Sequence, residues 1–307
     1  MARHRKKRGG RRIFFITLGI LVLFLVVGGA MTWSMYRDVN DTVSKVNQNL
    51  DVREERRNVE TIEDEKSVSI LLLGIDRGEG QRGRSDSIIV MTLNPTTDEG
   101  AILSIPRDTK TEIVGYGTRD KVNHAYAFGG TDMAMDTVEA LLDIPIDYVV
   151  EADMEAFTEV VDTLGGVTVT NTFAFEQDNH TFPVGELELN GAEALAYARM
   201  RYEDPNGDFG RQERQRAIVA AIVEKGRSSF SVDTVTRLLE VAGDHAKTNL
   251  EFNELVSLST DYMKAFRNAS TLRIEGTGGK ESNGIYYWNP DPASLAGVQD
   301  ELKRLME

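Results

Sequence analysis

The chain has 307 residues, 41% of them hydrophobic and none of them cysteine, and its formal net charge is −14 at pH 7. This length allows one large domain or two small ones, and the lack of cysteine excludes disulfides and thiolate chemistry. Seven basic residues lie within the first 12 positions, and the rest of the chain has 28 basic against 49 acidic residues, a net charge of −21 that repels nucleic acid.

The chain begins with a basic tail and a long apolar run. Residues 1–12 hold the seven basic residues, and residues 13–36 are uncharged and mostly Ile, Leu, Val and Phe. About 20 apolar residues suffice for a transmembrane helix, and the basic flank keeps its own end in the cytoplasm. A cleaved signal peptide is the alternative. Its apolar core is usually about 7–15 residues long, so the longer run favours an uncleaved anchor.

The residues after this anchor are therefore expected outside the cell. Residues 37–66 are highly charged and contain neither Pro nor Gly, which predicts a partly helical extracellular stalk. Residues 67–307 are expected to form one compact extracellular domain. The sequence thus predicts a single-pass type II protein of the cell membrane.

Strand patterns alternate with helix patterns through the compact domain, which predicts the α/β class and an α/β/α sandwich around a central mixed sheet. Strands are predicted at 68–74, 88–93, 101–105, 146–150 and 167–170, with a late pair formed by 272–275 and 285–288. Helices are predicted at 131–142, 153–164, 191–198, 232–241 and 252–266, with one ending near Lys225 and a last one starting at Asp291. Residues 276–280 are glycine-rich but lack phosphate-loop spacing, which predicts a hairpin loop.

Asp and Arg residues accompany the ends of the first three strands. Asp76 follows the first strand, Arg84 and Asp86 precede the second, and Arg107 follows the third. Ligands of open α/β sheets bind at such strand ends. The alternative is a set of surface ion pairs, each worth little. Recurrence at three strands favours a functional site.

A second group of arginines lies between Asn190 and Gln215. Arg199 and Arg201 are two residues apart, so they point the same way only if the chain becomes extended after Ala198. The spacing of Arg211, Arg214 and Gln215 predicts that they share one helix face. Because a guanidinium can hold a phosphate through two parallel hydrogen bonds, we predict a two-walled cradle for a phosphorylated group. A salt-bridged surface is the alternative, because acidic residues are interspersed: Glu203, Asp204, Asp208 and Glu213.

Several hydrolase classes lack their motifs in this sequence. The four histidines are scattered, with no His-Glu-x-x-His, and there is no Gly-x-Ser-x-Gly elbow. The remaining chemistry is that of aspartate and arginine. Aspartate oxygens bind magnesium and arginines neutralise phosphate charge, so the set suits phosphoryl transfer better than covalent catalysis.

Several linked motifs resemble the LytR-CpsA-Psr family of bacterial cell-wall proteins. In order, they are the membrane anchor, Arg84-Ser85-Asp86-Ser87, Ile105-Pro106-Arg107-Asp108-Thr109, Lys121-Val122-Asn123-His124-Ala125, Tyr197-Ala198-Arg199-Met200-Arg201, Asp208-Phe209-Gly210-Arg211 and Arg214-Gln215. The match extends roughly from residue 68 to residue 288. The linked set is far more specific than any one motif.

This resemblance implies an α/β/α domain that transfers a phosphorylated glycopolymer, such as wall teichoic acid, from a polyprenyl-pyrophosphate lipid to peptidoglycan. It also implies that the source is a Gram-positive-type bacterium. It also implies Mg²⁺ as cofactor, with Asp76 and Asp86 as ligands. The implied pyrophosphate cradle consists of Arg84, Arg107, Arg199, Arg201, Arg211 and Gln215, supported by Lys121. Four of these carry the catalytic role: Arg107, Arg199, Arg201 and Arg211.

Two other function classes stay open at this point. The first is a pyrophosphatase that uses the same site with water as the acceptor. The second is a membrane-bound regulator or lipid-binding module. The acidic exterior and the lack of a helix-turn-helix signal count against DNA binding.

Overall fold

The computed structural model describes residues 50, 66–76, 83–201, 203–228, 237–238 and 245–307. The predicted tail and transmembrane helix lie outside these residues, as does the predicted stalk apart from Leu50 and Lys66. Within the described ranges, no helix has both the length and the apolar character needed to cross a membrane. Leu50 is 2% exposed and belongs to the main core cluster, so the chain already contacts the domain there.

A six-stranded mixed sheet forms the centre of the domain. Its strands in spatial order are β11 (Ala246–Thr248), β6 (Tyr148–Asp153), β1 (Val68–Asp76), β2 (Arg84–Asn94), β3 (Glu99–Ser104) and β12 (Ser270–Leu272). β6 is parallel to β1 and β12 is parallel to β3, whereas the other neighbours are antiparallel. This arrangement confirms the predicted α/β class with a central mixed sheet.

Side-chain caps mark the start of several helices of the described residues. In chain order they are α1 (Asn123–Leu142), α2 (Met154–Thr163), α3 (Gly191–Arg199), α4 (Asp208–Ser228), α5 (Phe252–Thr260), α6 (Met263–Arg267) and α7 (Pro292–Met306). Asp153, Asn190 and Asp291 each accept a hydrogen bond from a backbone N–H of the first turn of α2, α3 and α7. Gly130, at φ 73° and ψ −154°, kinks α1 and divides it into two parts. The prediction covered the part after this kink, so α1 starts eight residues before its predicted start. Only the part after that kink has a clear helical pattern.

Helices cover both faces of the sheet. Alternate side chains of β1 point to opposite faces. Leu71 and Leu73 belong to a core shared with α1 and α7, whereas Ile70 belongs to a core shared with α5 and α6. The three layers agree with the predicted α/β/α sandwich.

A smaller subdomain packs on α3 and α4. It contains the pair β7 (Val167–Asn171) with β10 (Gly185–Leu189) and the hairpin β8 (Phe175–Gln177) with β9 (His180–Phe182). Phe175, Phe182 and Tyr197 form an aromatic group in its core. A further hairpin, β4 (Lys110–Ile113) with β5 (Thr118–Lys121), follows the central strand β3.

Four predictions for the C-terminal part of the chain were wrong or lie outside the described residues. The predicted pairing of 272–275 with 285–288 does not form. Instead, β12 pairs with β3, and β13 (Gly276–Lys280) pairs with β14 (Tyr286–Pro290). Residues 276–280, which were predicted to form a hairpin loop, are therefore a strand. Glycine at position 278 leaves room for the Tyr286 side chain, because a Cβ there would lie 2.0 Å from the Tyr286 hydroxyl. The helix predicted over 252–266 is divided into α5 and α6. Of the helix predicted over 232–241, the structure describes only residues 237–238.

Candidate active site

One edge of the central sheet collects the end of β1, the start of β2 and the end of β3. The register pairs Asp76 with Arg84, Ile75 with Ser85 and Gly74 with Ser87. Asp86 is therefore an extra residue in β2, a β-bulge. Bulges turn a side chain away from the regular strand direction, and they are common beside active sites.

The Asp86 carboxylate ties three elements together at this edge. Arg107, in the turn after β3, donates from Nη1 to Asp86 Oδ2 at 2.6 Å. Asn123, the first residue of α1, donates from Nδ2 to Asp86 Oδ1 at 3.2 Å. Lys121 donates to Asp108 Oδ1 at 2.6 Å, and Arg107 Nε lies 3.9 Å from Asp108 Oδ2. The bulge, the turn and the helix N-terminus are thus fixed relative to one another.

The start of α4 and the segment before it each add one arginine. Arg211 Nη2 lies 2.7 Å from Asp208 Oδ1, and Arg201 Nε lies 3.7 Å from the same oxygen. Burial is the main cause that lowers the pKa of the Arg211 guanidinium. The negative charges of Asp208 and Asp86 oppose this lowering. The positive charges of Arg107 and Arg201 lower the pKa further. These five side chains therefore share one electrostatic neighbourhood. We call them the edge cluster: Asp86, Arg107, Arg201, Asp208 and Arg211.

Two hydrogen bonds dock α4 over the sheet edge. Ser87 Oγ donates to Gln215 Oε1 at 3.1 Å. Arg216 donates from Nη1 to Ser104 Oγ at 2.7 Å. The helix is thereby held to β2 and β3, and Gln215 lies next to the strand that carries Asp86.

Buried polar atoms without a hydrogen-bond partner concentrate around this edge. Among the described residues such side-chain atoms are Ser85 Oγ, Thr92 Oγ1, Thr109 Oγ1, Asn123 Oδ1, Arg211 Nε and Trp288 Nε1. Asp208 Oδ1 also forms no well-aligned hydrogen bond, although it lies 2.7 Å from Arg211 Nη2 in an ion pair. All of these atoms except Thr92 Oγ1 lie in segments that form the sheet edge or contact it. Trp288 is included because its backbone forms a β-bridge with Thr109. Buried polar groups are normally paired, and each unpaired one costs about 1–3 kcal/mol. Their concentration here fits a site that accepts a polar ligand.

The remaining predicted residues lie at the rim. Asp76 and Arg84 are exposed and face each other across β1 and β2. The backbone becomes extended at Met200, whose side chain is buried. The side chains of Arg199 and Arg201, the residues before and after it, both reach solvent. Arg199 Nη1 lies 3.9 Å from Asp178 in the turn between β8 and β9. Among the described residues, no hydrogen bond or ion pair joins the Arg199 side chain to the edge cluster.

Arg214 has a different role from the one its spacing predicted. It is 5% exposed, and it donates from Nε to the Tyr197 carbonyl at 3.0 Å and from Nη2 to the Met200 carbonyl. Its Nη1 pairs with Asp204. We call this set the Arg214 clasp. It fixes the turn between α3 and α4 and so positions Arg201 and Arg211, but its guanidinium is turned into the protein.

Sequence reasoning did not assign three residues of this site. Asn123 lies within a quoted motif, but nothing in its pattern indicates a hydrogen bond to Asp86. Asp208 was grouped with surface acids, although its i, i+3 spacing to Arg211 is a recognisable ion-pair signal. Trp288 gives no signal, because its contact with Thr109 joins residues far apart in the sequence.

The carboxylates at this edge suit a magnesium ion shared with a ligand. Among the described residues, no group of three or more Asp, Glu, His or Cys could hold a metal alone. Magnesium usually takes one or two carboxylates and completes its shell with water and substrate phosphates. Asp76 and Asp86 lie on paired strands. Each Asp86 oxygen accepts one hydrogen bond and keeps a second acceptor position. The carboxylates of Asp76 and Asp86 therefore fit a magnesium ion whose remaining ligands are water and phosphate.

Known proteins resemble this chain over its whole length. It is 42% identical over 308 residues to the polyisoprenyl-teichoic acid–peptidoglycan teichoic acid transferase TagU of Bacillus subtilis (strain 168), with 100% of both chains covered. The crystal structure of B. subtilis TagU is 45% identical, with a TM-score of 0.67, and covers 79% of this chain and 97% of its own. A structure of TagT bound to LIIa-WTA is 34% identical, with a TM-score of 0.69, and covers 82% and 95%.

The model of the LytR_cpsA_psr family matches residues 33–304. This range includes every motif of the edge cluster and of the Arg214 clasp. The full-length identity to TagU independently points to the same family. The chain therefore belongs to the LytR_cpsA_psr family.

Proposed function

We propose that this chain transfers a phosphorylated glycopolymer, such as wall teichoic acid, from a polyprenyl-pyrophosphate carrier to peptidoglycan. The full-length identity to TagU supports this activity, because the name of that relative gives a polyisoprenyl-linked teichoic acid and peptidoglycan. The structural observation that carries the proposal is the edge cluster. Three arginines from separate segments gather around two aspartates there: Arg107 pairs with Asp86, and Arg201 and Arg211 lie against Asp208. Buried polar atoms without a hydrogen-bond partner surround them.

The three arginines of the edge cluster would bind the pyrophosphate. Phosphoryl transfer proceeds through a transition state whose charge is spread over phosphate oxygens, so fixed cations stabilise it. Arg211 is 9% exposed, and its charge is therefore less screened by water than that of a surface arginine. Arg84, Arg199, Lys121 and Gln215 would add contacts from the rim.

The reaction exchanges one phosphorus–oxygen bond for another. The acceptor hydroxyl oxygen bonds to the phosphorus attached to the glycopolymer, and the bond from that phosphorus to the bridging oxygen breaks. The products are a glycopolymer–peptidoglycan phosphodiester and a prenyl monophosphate, and the hydroxyl proton leaves to a base. Arg107, Arg201 and Arg211 would hold the pyrophosphate and stabilise charge on the departing phosphate. Transfer also requires the hydroxyl to be held in line and water to be excluded.

Asp76 and Asp86 would hold the magnesium ion, which offsets pyrophosphate charge when bound. Asp86 would also keep Arg107 in position, because the two side chains form a hydrogen-bonded ion pair at 2.6 Å. Asn123 holds the other oxygen of the same carboxylate.

We further propose that residues 13–36 anchor the chain in the cell membrane with its N-terminus inside and its catalytic domain outside. The uncharged run and the basic cluster before it support this type II topology. Protease treatment of intact protoplasts should then remove the domain. Full protection of the domain would contradict the proposed topology.

The decisive experiment supplies purified full-length chain with lipid-linked polymer and peptidoglycan. We expect a covalent conjugate and prenyl monophosphate, with little hydrolysis when the acceptor is absent. Arg211→Ala should abolish most of this transfer. A matched control is Arg267→Ala, because Arg267 pairs with Glu224 at the far end of the same helix α4. Cleavage without acceptor, unchanged by adding peptidoglycan, would favour the pyrophosphatase. Lipid binding without any turnover would favour the regulator or lipid-binding module.

A further inference from the structure

Two exposed aromatic rings lie stacked on each other near the edge cluster. Tyr116, in the turn between β4 and β5, and Phe128, on α1, have ring centroids 4.2 Å apart and planes within 15°. Tyr116 is 55% exposed and Phe128 is 37% exposed. Aromatic side chains contribute large contact areas when a partner covers them, and exposed apolar patches often mark binding surfaces.

The pair is joined to the edge cluster through two elements. Asn123, which donates to Asp86, lies five residues before Phe128 on α1, so the two are separated by about 7.5 Å along the helix axis. Tyr116 belongs to the hairpin whose Lys121 pairs with Asp108, beside Arg107. The rings are therefore within reach of a short chain molecule whose end group lies at the edge cluster.

Hydrogen-bonding groups border the rings. His124 lies with its ring centroid 5.7 Å from that of Phe128, and its Nδ1 is 2.7 Å from Asp120 Oδ2. Tyr287 donates from its hydroxyl to Asp120 Oδ1 at 3.1 Å. An aromatic face bordered by such groups suits a sugar, because a pyranose presents C–H groups on one face and hydroxyls at its edge. A lipid chain would require a wider apolar surface without buried or charged polar neighbours.

We propose that Tyr116 and Phe128 form an acceptor platform that binds a sugar of the peptidoglycan glycan strand during transfer. The proposal rests on the transferase function and adds the surface that recognises the acceptor. Phe128 stacks on one face of Tyr116 and supports it. The other face of Tyr116, the more exposed ring, contacts the sugar. His124 and Asp120 supply hydrogen-bonding groups on the Phe128 side of the pair.

The test uses full-length chain, saturating lipid-linked donor and increasing amounts of a soluble, uncrosslinked peptidoglycan oligosaccharide. Tyr116→Ala should raise the KM for this acceptor about tenfold, which corresponds to about 1.4 kcal/mol. The kcat and the KM for the donor should stay within about twofold. Tyr116→Phe keeps the ring and should behave like the wild type. Tyr116→Leu keeps apolar volume without a ring, and its acceptor KM should rise as in Tyr116→Ala.

Tyr286→Ala is the matched control, because Tyr286 is an aromatic residue on β14 that is 41% exposed. Its acceptor KM should not change. An unchanged acceptor KM in Tyr116→Ala and Tyr116→Leu would overturn the proposal. Weaker binding of those variants to phosphatidylglycerol vesicles, with unchanged acceptor KM, would assign the rings to a membrane contact instead.

The failure of the transferase function would be seen separately, as a wild-type chain that gives no conjugate. The platform is then tested by calorimetric binding of the same oligosaccharide without donor. Weaker binding by Tyr116→Ala than by the wild type supports the platform even in that case. Equal binding by both, or no binding by the wild type, overturns it.

Discussion

The edge cluster and the Arg214 clasp both contain a buried arginine of α4, three residues apart, yet they differ in how well that arginine is satisfied. Arg214 is 5% exposed and donates to two backbone carbonyls, with Asp204 as its ion partner. Arg211 is 9% exposed, and its Nε has no hydrogen-bond partner among the described residues. Two further arginines also lower the Arg211 pKa. Burial alone therefore does not distinguish their roles.

The difference indicates which buried cation stabilises the fold and which is kept for a ligand. Removing one member of a fully paired buried ion pair leaves the other charge buried without a counter-charge, which strongly destabilises the fold. An incompletely paired arginine beside other cations instead lowers stability, and such groups concentrate at functional sites. A bound pyrophosphate would offset the mutual repulsion of Arg107, Arg201 and Arg211.

The largest expected effect is on stability and belongs to the clasp. Arg214→Ala should lower the free energy of unfolding by about 3–5 kcal/mol, because Asp204, which is buried, loses its ion partner. Arg211→Ala should change it by less than about 1 kcal/mol in either direction, because relief of the repulsion from Arg107 and Arg201 offsets the lost ion pair with Asp208. Urea denaturation followed by circular dichroism measures both. Equal losses in the two variants would remove the distinction between clasp and cluster.

The next largest effect is on activity and belongs to the edge cluster. Arg211→Lys should lower kcat/KM by about ten- to a hundredfold, because lysine keeps the charge but loses the two-pronged grip on phosphate. Arg199→Lys tests the same geometry at the rim. Arg267→Lys is the matched control, and its kcat/KM should stay within about twofold, since Arg267 pairs with Glu224 away from the edge cluster. Full activity of Arg211→Lys would mean that the site requires charge alone.

The sequence predicted the central elements of the fold well because their signals are local. The strands β1, β2 and β3 each contain a largely apolar run, and the caps at Asp153, Asn190 and Asp291 mark helix starts directly. The late strand pair failed because pairing partners are set by tertiary contacts. β12 joins β3, about 170 residues earlier in the chain, and no periodicity in either segment encodes that choice.

The site could be predicted in composition but not in arrangement. Spacing predicted that Arg211, Arg214 and Gln215 share a helix face, and motif resemblance assigned Arg211 and Gln215 to the cradle. The inward orientation of Arg214 depends on carbonyls of Tyr197 and Met200, which become acceptors only once α3 ends at Arg199. The bulge at Asp86 depends likewise on register with β1. Both are tertiary outcomes.

A smaller effect is expected on metal dependence. Asp86→Asn keeps the size of the side chain but removes its charge, so the Mg²⁺ concentration for half-maximal transfer should rise about tenfold. Calorimetric binding of prenyl pyrophosphate with and without Mg²⁺ gives a readout independent of turnover. Glu151→Gln is not a suitable control, because Glu151 is buried and accepts hydrogen bonds from Tyr126 and Thr131, so the change would disturb the core. Glu155→Gln, on the exposed start of α2, is suitable.

A loss of activity in Asp86→Asn with unchanged Mg²⁺ dependence would give a different role to this carboxylate. Asp86 would then act by holding Arg107, with which it forms the 2.6 Å hydrogen bond. Arg107→Lys should in that case produce the same loss, and adding Asp86→Asn to it should cost little more, because the two changes would break one interaction.

The smallest effect is expected at Gln215, the third residue of the predicted helix face. Ser87 donates to its carbonyl oxygen at 3.1 Å, which leaves the amide nitrogen as the group that can donate to a phosphate oxygen. One neutral hydrogen bond contributes about 0.5–1.5 kcal/mol, so Gln215→Ala should lower kcat/KM about two- to tenfold. Gln215→Glu should cost more than Gln215→Ala, because it adds a negative charge beside the phosphate. Ser87→Ala, which only releases the amide, should cost less. If Gln215→Glu is as active as the wild type, the residue does not face the pyrophosphate, and the cradle ends at Arg211.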